Sequence, residues 1–254
     1  MPSLLSKLSE DIESLAALAA SCAEPCIDVR HDRGEGILPR CLFLEPGPPP
    51  PGATEAEELA GGTIVIGLNP GRMEETERRK INGLLNAIGK DRDRFSTDDW
   101  RSFVRSYYHW LKATLAVSEP YYTLVRALLR SSGRLGPILW TEILKCETRR
   151  RKPVAEGSKR KDNPDPFNAE GTVGRCTAKF LRKELELTPK EWPVLAVGKP
   201  ALDWCMENAT GRIVVGVPHA SRRAFEFISL FPPTQVDAKK LEWVHGKRHW
   251  PIDQ

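Results

Sequence analysis

Four short apolar runs that alternate with stretches of helical spacing constrain the fold of this chain more than any other sequence feature. The runs predict buried strands over residues 63–67, 136–146, 192–198 and 212–219. Strands that are apolar along their whole length and alternate with helices are typical of a parallel sheet covered by helices on both faces. We therefore expect an α/β protein, a three-layer α/β/α sandwich with a central four-stranded parallel sheet.

Apolar residues at helical spacing predict the elements around these strands. A long helical region is expected to follow the first strand and to extend to about residue 131. With 254 residues, the chain is long enough for one large domain, and we expect a single domain over its whole length, 1–254. Further helices are predicted over 3–21, 177–187 and 199–209, and from about residue 221.

Composition and the N-terminal sequence bear on the compartment. No apolar run approaches the roughly 18 residues that a membrane span requires. Glu10, Asp11 and Glu13 interrupt what would be the apolar part of a secretory signal. We therefore expect a monomeric, cytoplasmic protein of bacterial type that has no membrane partner.

Positive charge is concentrated in one segment, although the net charge is only +4. Eight Lys or Arg lie from Lys145 to Lys161, against two Glu. Residues 147–175 show almost no apolar periodicity and contain several Pro and Gly, which predicts a long basic loop insertion at about 147–175. Such a cluster suits a phosphate backbone, but basic loops without any partner are also common.

The six cysteines indicate metal ligation or burial, because disulfides are rare in a reducing compartment. Cys41 and Cys205 lie within apolar strand and helix patterns, so we assign them to the core, with Cys41 as an alternative to Cys26. The other four lie next to predicted helix or strand ends, where metal ligands are often found: Cys22, Cys26, Cys146 and Cys176.

Two polar side chains follow predicted strands where a proline turns the chain. Asn69 lies in "GLNPG" and His219 in "VPHASRR". Ligands bind at the carboxyl ends of parallel strands, so we expect Asn69, Cys146, Gly198 and His219 at one edge of the sheet. Taken singly, Asn69 is more often a turn former, and His219 more often precedes a helix cap at Ser221.

Together and in this order, the two motifs resemble those of the uracil-DNA glycosylase superfamily. "GLNPG" is similar to the first active-site motif in its Asn-containing form, and "PHASRR" to the second, with Ala220 where the family has proline. The resemblance is widest to the iron–sulfur branch and spans roughly residues 15–230. It rests there on "CAEPC", "EILKC", "CTAKFLRKEL" and "VLAVGKPAL", which occur in the order typical of that branch.

This resemblance implies a [4Fe-4S] cluster held by Cys22, Cys26, Cys146 and Cys176. Zinc is the alternative for four thiolates, and a chain without metal is a further one. The sequence departs from the family in the C-x3-C spacing of the first pair and in the long segment between Cys146 and Cys176.

The resemblance further implies an enzyme that flips uracil out of DNA and hydrolyses its bond to the sugar, leaving an abasic site. Asn69 would hold the attacking water, and a neutral His219 would stabilise the uracil anion as it leaves. The backbone at Gly67, Leu68 and Gly71 would approach the base closely.

Base recognition is where this chain departs most from the family, because Glu142 stands where an Asn usually reads the uracil edge. An ionised Glu accepts hydrogen bonds only. Three alternatives follow: Glu142 is protonated, a backbone amide shares the recognition, or another base is preferred. The family commonly stacks the base on a Phe a dozen or so residues after the first motif, and no Phe lies there in this chain. We therefore select Tyr107 among the aromatic residues of 95–110, although core packing is the commoner role for such residues.

DNA is the implied partner. Ser221, Arg222 and Arg223 would contact or enter the duplex, and Arg149, Arg150 and Arg151 of the basic loop would contact its phosphates. Three other functions remain open: a glycosylase for hypoxanthine, xanthine or mismatched thymine; a non-catalytic binder of damaged DNA; and a metal-free α/β protein whose basic loop contacts RNA or nothing.

Overall fold

The computed structural model of this chain is an α/β fold built on a mixed five-stranded sheet. It describes residues 3–24, 26, 29–30, 36–40, 42–48, 52–68, 73–148 and 171–217. The sheet has the strand order β2-β4-β3-β6-β7. Its strands are β2 (Phe43–Glu45), β3 (Thr63–Gly67), β4 (Ile138–Glu142), β6 (Val194–Val197) and β7 (Val214–Val217).

The four predicted strands are parallel to their neighbours, and the fifth is antiparallel. β4 pairs with β3, β3 with β6, and β6 with β7, all in parallel. β2 adds to the outer edge of β4 in the antiparallel sense, with Phe43 opposite Trp140. The predicted four-strand sheet was wrong in strand number, because a strand of three residues is too short to show a period.

Strand β4 ends earlier than the sequence predicted. The apolar run continues to Cys146, but the strand ends at Glu142, and residues 143–146 bend away while remaining buried. The apolar pattern therefore reflects burial both of the strand and of the segment that follows it. Cys146 lies four residues beyond the strand end and not at it.

The helices agree with the predicted positions to within a few residues. The first predicted helix is confirmed as α1 (Leu4–Ala20), begun by the Ser3 side chain, which accepts from Ser6 N–H. The helical region before residue 131 consists of α3 (Glu75–Ala87), α4 (Thr97–Ala113), α5 (Leu115–Ser118) and α6 (Pro120–Ser131), with a 3₁₀ turn at Arg92–Arg94; α2 (Glu55–Ala60) precedes β3, and α9 (Lys199–Asn208) follows β6.

The helix predicted from residue 177 begins five residues earlier. It consists of α7 (Thr172–Cys176), a π-helical segment (Thr177–Leu181) and α8 (Arg182–Leu187). At the other end of the basic segment, β5 (Glu147–Thr148) pairs antiparallel with β1 (Val29–Arg30). Residues 147–148 and 172–175 therefore belong to regular elements and not to the predicted loop.

The core lies between the sheet and the helices packed on it. Helix α1 packs on α4, and the sheet strands β3 and β6 are buried throughout. Cys205 on α9 is fully buried, as predicted. The helix predicted from residue 221 and the core assignment of Cys41 lie outside the described residues. None of the helices that the structure describes is long and apolar enough to cross a membrane.

Candidate functional site

The carboxyl ends of β3 and β4 lie side by side at the candidate site. Gly67 ends β3 and pairs with Glu142, which ends β4. Beyond these ends, the N–H of Ile143 donates to Gly67 O at 2.9 Å, and the N–H of Leu144 donates to Leu68 O at 3.0 Å. The segment that leads into "GLNPG" is therefore held against the segment that leads to Cys146.

The Glu142 carboxyl packs directly against Gly67. A Cβ added to Gly67 would lie 2.7 Å from Cδ of Glu142 and closer still to its Oε2. Real Cβ atoms do not approach other atoms this closely. Any side chain at position 67 would have to displace this carboxyl. The sheet thus needs a glycine here for a reason that involves Glu142, in addition to the predicted approach of a base.

Glu142 is a buried acid that has no partner for one of its oxygens. Its exposed fraction is 8%, and Oε2 accepts no hydrogen bond from the residues that the structure describes. Burial raises the pKa of Glu142 to about 8, against the opposing attraction of Lys145 and Arg40. Glu142 is therefore mainly protonated at neutral pH.

Both nearby cations are paired with other acids. Lys145 Nζ lies 2.8 Å from Glu184 Oε1, and both side chains are fully buried. Arg40 Nε lies 3.1 Å from Glu77 Oε1. Each positive charge thus has a close carboxylate of its own, and its attraction for Glu142 is smaller than the effect of burial.

Lys145 also fixes the turn that follows β4. Its Nζ donates to Thr141 Oγ1 and to the Glu142 carbonyl oxygen, at 2.5 Å in each case. Its backbone N–H donates to Cys176 Sγ at 3.4 Å. The sequence placed Lys145 in the basic segment that could contact phosphate, and this was wrong, because the side chain is fully buried.

A second buried network holds the chain as it leaves the "GLNPG" motif. Glu147 Oε2 accepts the backbone N–H of Met73 at 3.1 Å, and Met73 is the first described residue after that motif. Arg40 Nη1 lies 3.9 Å from the same oxygen of Glu147. Arg40 also pairs with Glu77, whose Oε1 accepts a hydrogen bond of 2.5 Å from the Tyr107 hydroxyl.

Tyr107 lies in the core. Its exposed fraction is 2%, and its ring stacks on Phe103 with centroids 6.0 Å apart. Its predicted role in stacking on a base stays a prediction. The described contacts of Tyr107 are those of a residue that orients Glu77 and Arg40.

The four cysteines selected from the sequence line a single cavity of about 380 Å³. Cys22 follows α1, Cys26 precedes β1, Cys146 precedes β5, and Cys176 ends α7. The pairing of β1 with β5 brings the chain after Cys26 beside the chain after Cys146. Other lining residues include Glu24, Pro39, Lys145, Thr172, Lys179 and Phe180.

Burial and mutual repulsion disfavour thiolates in this cavity when no cation is present. Burial raises the pKa of Cys146 well above its ordinary value, and the other three cysteines raise it further. Burial likewise raises the pKa of Cys176, although Lys145 opposes this. Lys179 Nζ lies 3.9 Å from Cys22 Sγ and pairs with Glu24 at 3.0 Å.

Within the described parts of the chain, no group of three or more His, Cys, Asp or Glu side chains is arranged to hold a metal ion. The cysteines share a cavity without converging on a single point. A π-helical segment begins directly after Cys176, and such segments often occur at functional sites.

Many of the predicted site residues lie outside the residues that the structure describes. Their roles therefore stay predictions. They are Asn69, Gly71, Arg149, Arg150, Arg151, His219, Ser221, Arg222 and Arg223.

Sequence reasoning missed the two buried ion-pair networks. Glu77 and Glu184 lie on helices, whereas Glu147 lies on β5. Glu184 shares its helix face with the apolar Phe180 and Leu181, which is a local signal that it is buried. Nothing in the sequence links Glu184 to Lys145 or Arg40 to Glu77, because these partners are far apart in the chain.

Comparison with known proteins gives no match for this chain among protein-family models, curated proteins or solved structures.

Proposed function

We propose that the protein is a monofunctional DNA-repair glycosylase that flips uracil out of DNA and hydrolyses its bond to the sugar. The proposal includes a three-layer α/β/α sandwich as a single domain. One observation carries it: Cys22 and Cys26, a close pair in sequence, line one cavity together with Cys146 and Cys176 from a distant part of the chain. These are the four positions at which the resemblance implies cluster ligands.

The cavity favours a [4Fe-4S] cluster over zinc. A zinc ion needs its four sulfur ligands at about 2.3 Å from one point. A cluster occupies volume itself, which suits four thiols around a space of about 380 Å³. The raised pKa values of Cys146 and Cys176 indicate that these thiols need a cationic group in order to ionise.

When bound, the cluster would supply iron ions that keep the four sulfurs as thiolates and cross-link the chain around the cavity. Lys145 N–H would remain a donor to the sulfur of Cys176. The Lys145 side chain holds the Glu142 carbonyl. Lys145 would thus connect the cluster to the carboxyl end of β4.

The reaction is assigned to residues at the strand ends. Asn69 holds the water that attacks the sugar, and a neutral His219 donates to the uracil oxygen on which negative charge develops. An amide is a weak base, but this suffices when the water attacks a sugar with oxocarbenium character. No lysine is assigned to attack the sugar, so the product is an abasic site.

Uracil-containing DNA is the proposed partner. Arg149, Arg150 and Arg151 provide phosphate contacts, while Ser221, Arg222 and Arg223 contact or enter the duplex. Replacing the three arginines at 149–151 with Ala should weaken binding to all duplexes alike and reduce its salt dependence. Binding that becomes selective for sequence would contradict phosphate contact.

Activity is tested with a panel of duplexes that each carry one modified base, followed by alkali to cleave abasic sites. We expect cleavage at uracil by the natural protein and loss of cleavage in Asn69→Ala and His219→Ala. Cleavage at the natural rate by either variant would overturn the role of that residue. Circular dichroism of both variants controls for folding.

The cofactor is tested separately by colour, iron and acid-labile sulfide. The anaerobically purified protein should be brown and contain both, and Cys176→Ala should lose them. Cys205→Ala is the matched control, because Cys205 is a buried cysteine that does not line the cavity. A colourless protein that carries zinc would overturn the cluster assignment.

A second candidate is a glycosylase for another deaminated base, which the environment of Glu142 favours. Hypoxanthine and xanthine, like uracil, present a ring N–H next to a carbonyl oxygen. The same duplex panel separates these substrates. A protein that shifts labelled damaged DNA without producing alkali-labile sites would instead be a non-catalytic binder.

A further inference from the structure

We propose that Glu142 reads the base as a neutral carboxylic acid, with one oxygen as donor and the other as acceptor, so the substrate class is bases with adjacent N–H and C=O groups. This inference rests on the proposed glycosylase function. It deepens that function by naming the chemical edge that is recognised.

The position of the carboxyl supports this role. Glu142 ends β4 beside Gly67, and its carboxyl occupies the space that a side chain at 67 would fill. Residue 68 follows directly, and Asn69 comes next in the chain. The carboxyl therefore contacts the residue that lies two positions before Asn69 in the chain, and Glu142 is not among the residues that line the cysteine cavity.

An unused hydrogen-bonding capacity is the second observation. Oε2 of Glu142 is buried and accepts no hydrogen bond from the described residues. A buried polar atom without a partner destabilises the folded protein. Such an atom at a strand-end site is satisfied when a ligand supplies the complementary group.

Burial supports the neutral form of Glu142, and the nearby cations oppose it. In the described part of the chain, the cations that act on it are Lys145 and Arg40. Lys145 pairs with Glu184, whereas Arg40 pairs with Glu77 and lies near Glu147. Burial outweighs the attraction of these paired cations, and the pKa of Glu142 is raised to about 8.

A neutral carboxyl offers one O–H donor and one acceptor, as an amide does. The acceptor takes the ring N–H of the base, and the donor reaches its carbonyl oxygen. An ionised carboxylate would lose the donor and repel that oxygen. Cleavage should therefore fall about tenfold for each pH unit above about 8.

The test compares pH profiles of uracil cleavage for the natural protein, Glu142→Gln and Glu142→Ala. Gln keeps a donor and an acceptor at every pH, so its profile should be flat above pH 8, whereas Ala should lose cleavage throughout. Glu10→Gln, on the exposed face of α1, is the control for removing an acid and should keep the natural profile.

An infrared titration gives a readout that does not need turnover. A protonated-carboxyl band should be present at neutral pH, disappear with a midpoint near pH 8, and be missing in Glu142→Gln. Absence of this band, or a Gln variant that keeps the alkaline fall, would overturn the inference although the protein still cleaves uracil. If the band is present but no duplex of the panel is cleaved, the proposed function fails, and base reading by Glu142 fails with it.

Discussion

Replacing Lys145 with Met should destabilise the protein far more than breaking an exposed ion pair of similar length. Lys145 and Glu184 are fully buried, with Nζ and Oε1 2.8 Å apart. Removing one partner leaves the other charge buried and unpaired, which costs about 3–5 kcal/mol. Arg79 and Glu75 on α3 are 3.0 Å apart but mostly exposed, so Arg79→Met should cost only about 0.5 kcal/mol.

A double-mutant cycle separates charge from packing. Lys145→Met with Glu184→Met removes both buried charges, so the double variant should be no less stable than either single variant. It will retain a smaller cost, because the Thr141 hydroxyl loses both of its partners. The coupling between the two positions should therefore be large and favourable in the natural pair.

The assay is urea unfolding followed by tryptophan fluorescence and by circular dichroism, with free energies extrapolated to water. Coincident transitions of the two signals check that unfolding is two-state. Equal costs for Lys145→Met and Arg79→Met would refute the burial argument. Additive costs in the double variant would refute the ion pair as the source of the effect.

Three further predictions concern Gly67, Glu142 and the cysteines. Gly67→Ala should cost about 1–3 kcal/mol in urea unfolding, because its Cβ would collide with the Glu142 carboxyl; an unchanged midpoint would contradict this collision. Stability should fall as pH rises from about 4.5 to about 8, by at most about 1.4 kcal/mol per pH unit, since the folded state keeps a proton on Glu142 that the unfolded state releases; Glu142→Gln should flatten this slope, and an equal slope would be evidence against it. In the anaerobically purified protein, the visible absorbance of the cluster should disappear in Cys146→Ala and persist in Cys205→Ala, and loss in both variants would point to a folding defect.

Sequence patterns predicted the buried parts of the fold best. Strand β3 is confirmed at Thr63–Gly67, because a continuous apolar run there is bounded by glycines. Gly62 is required at the other boundary, where a Cβ would collide with the Trp192 ring. The close contacts of Gly62 and Gly67 therefore fix the two ends of this strand.

Elements that depend on a partner distant in the chain were harder to predict. β2 exists because Phe43–Glu45 pair with β4, and β1 exists because two residues pair with β5. The end of β4 was misplaced for a related reason. Residues 143–146 are as buried as the strand itself, and hydrophobicity reports burial without distinguishing a strand from a packed turn.

The difference between local patterns and distant partners explains why the cysteines could be selected from the sequence, whereas the protonation state of Glu142 could not. Cysteines beside helix and strand ends are visible in a local pattern, and the fold needs only to bring these ends together. The protonation of Glu142 depends on which acids pair with Lys145 and Arg40. Those acids, Glu184 and Glu77, are each 37 or more residues from their cation in the chain. Of the three alternatives that the sequence left open for Glu142, burial favours the protonated acid, and Lys145 and Arg40 oppose it without outweighing burial.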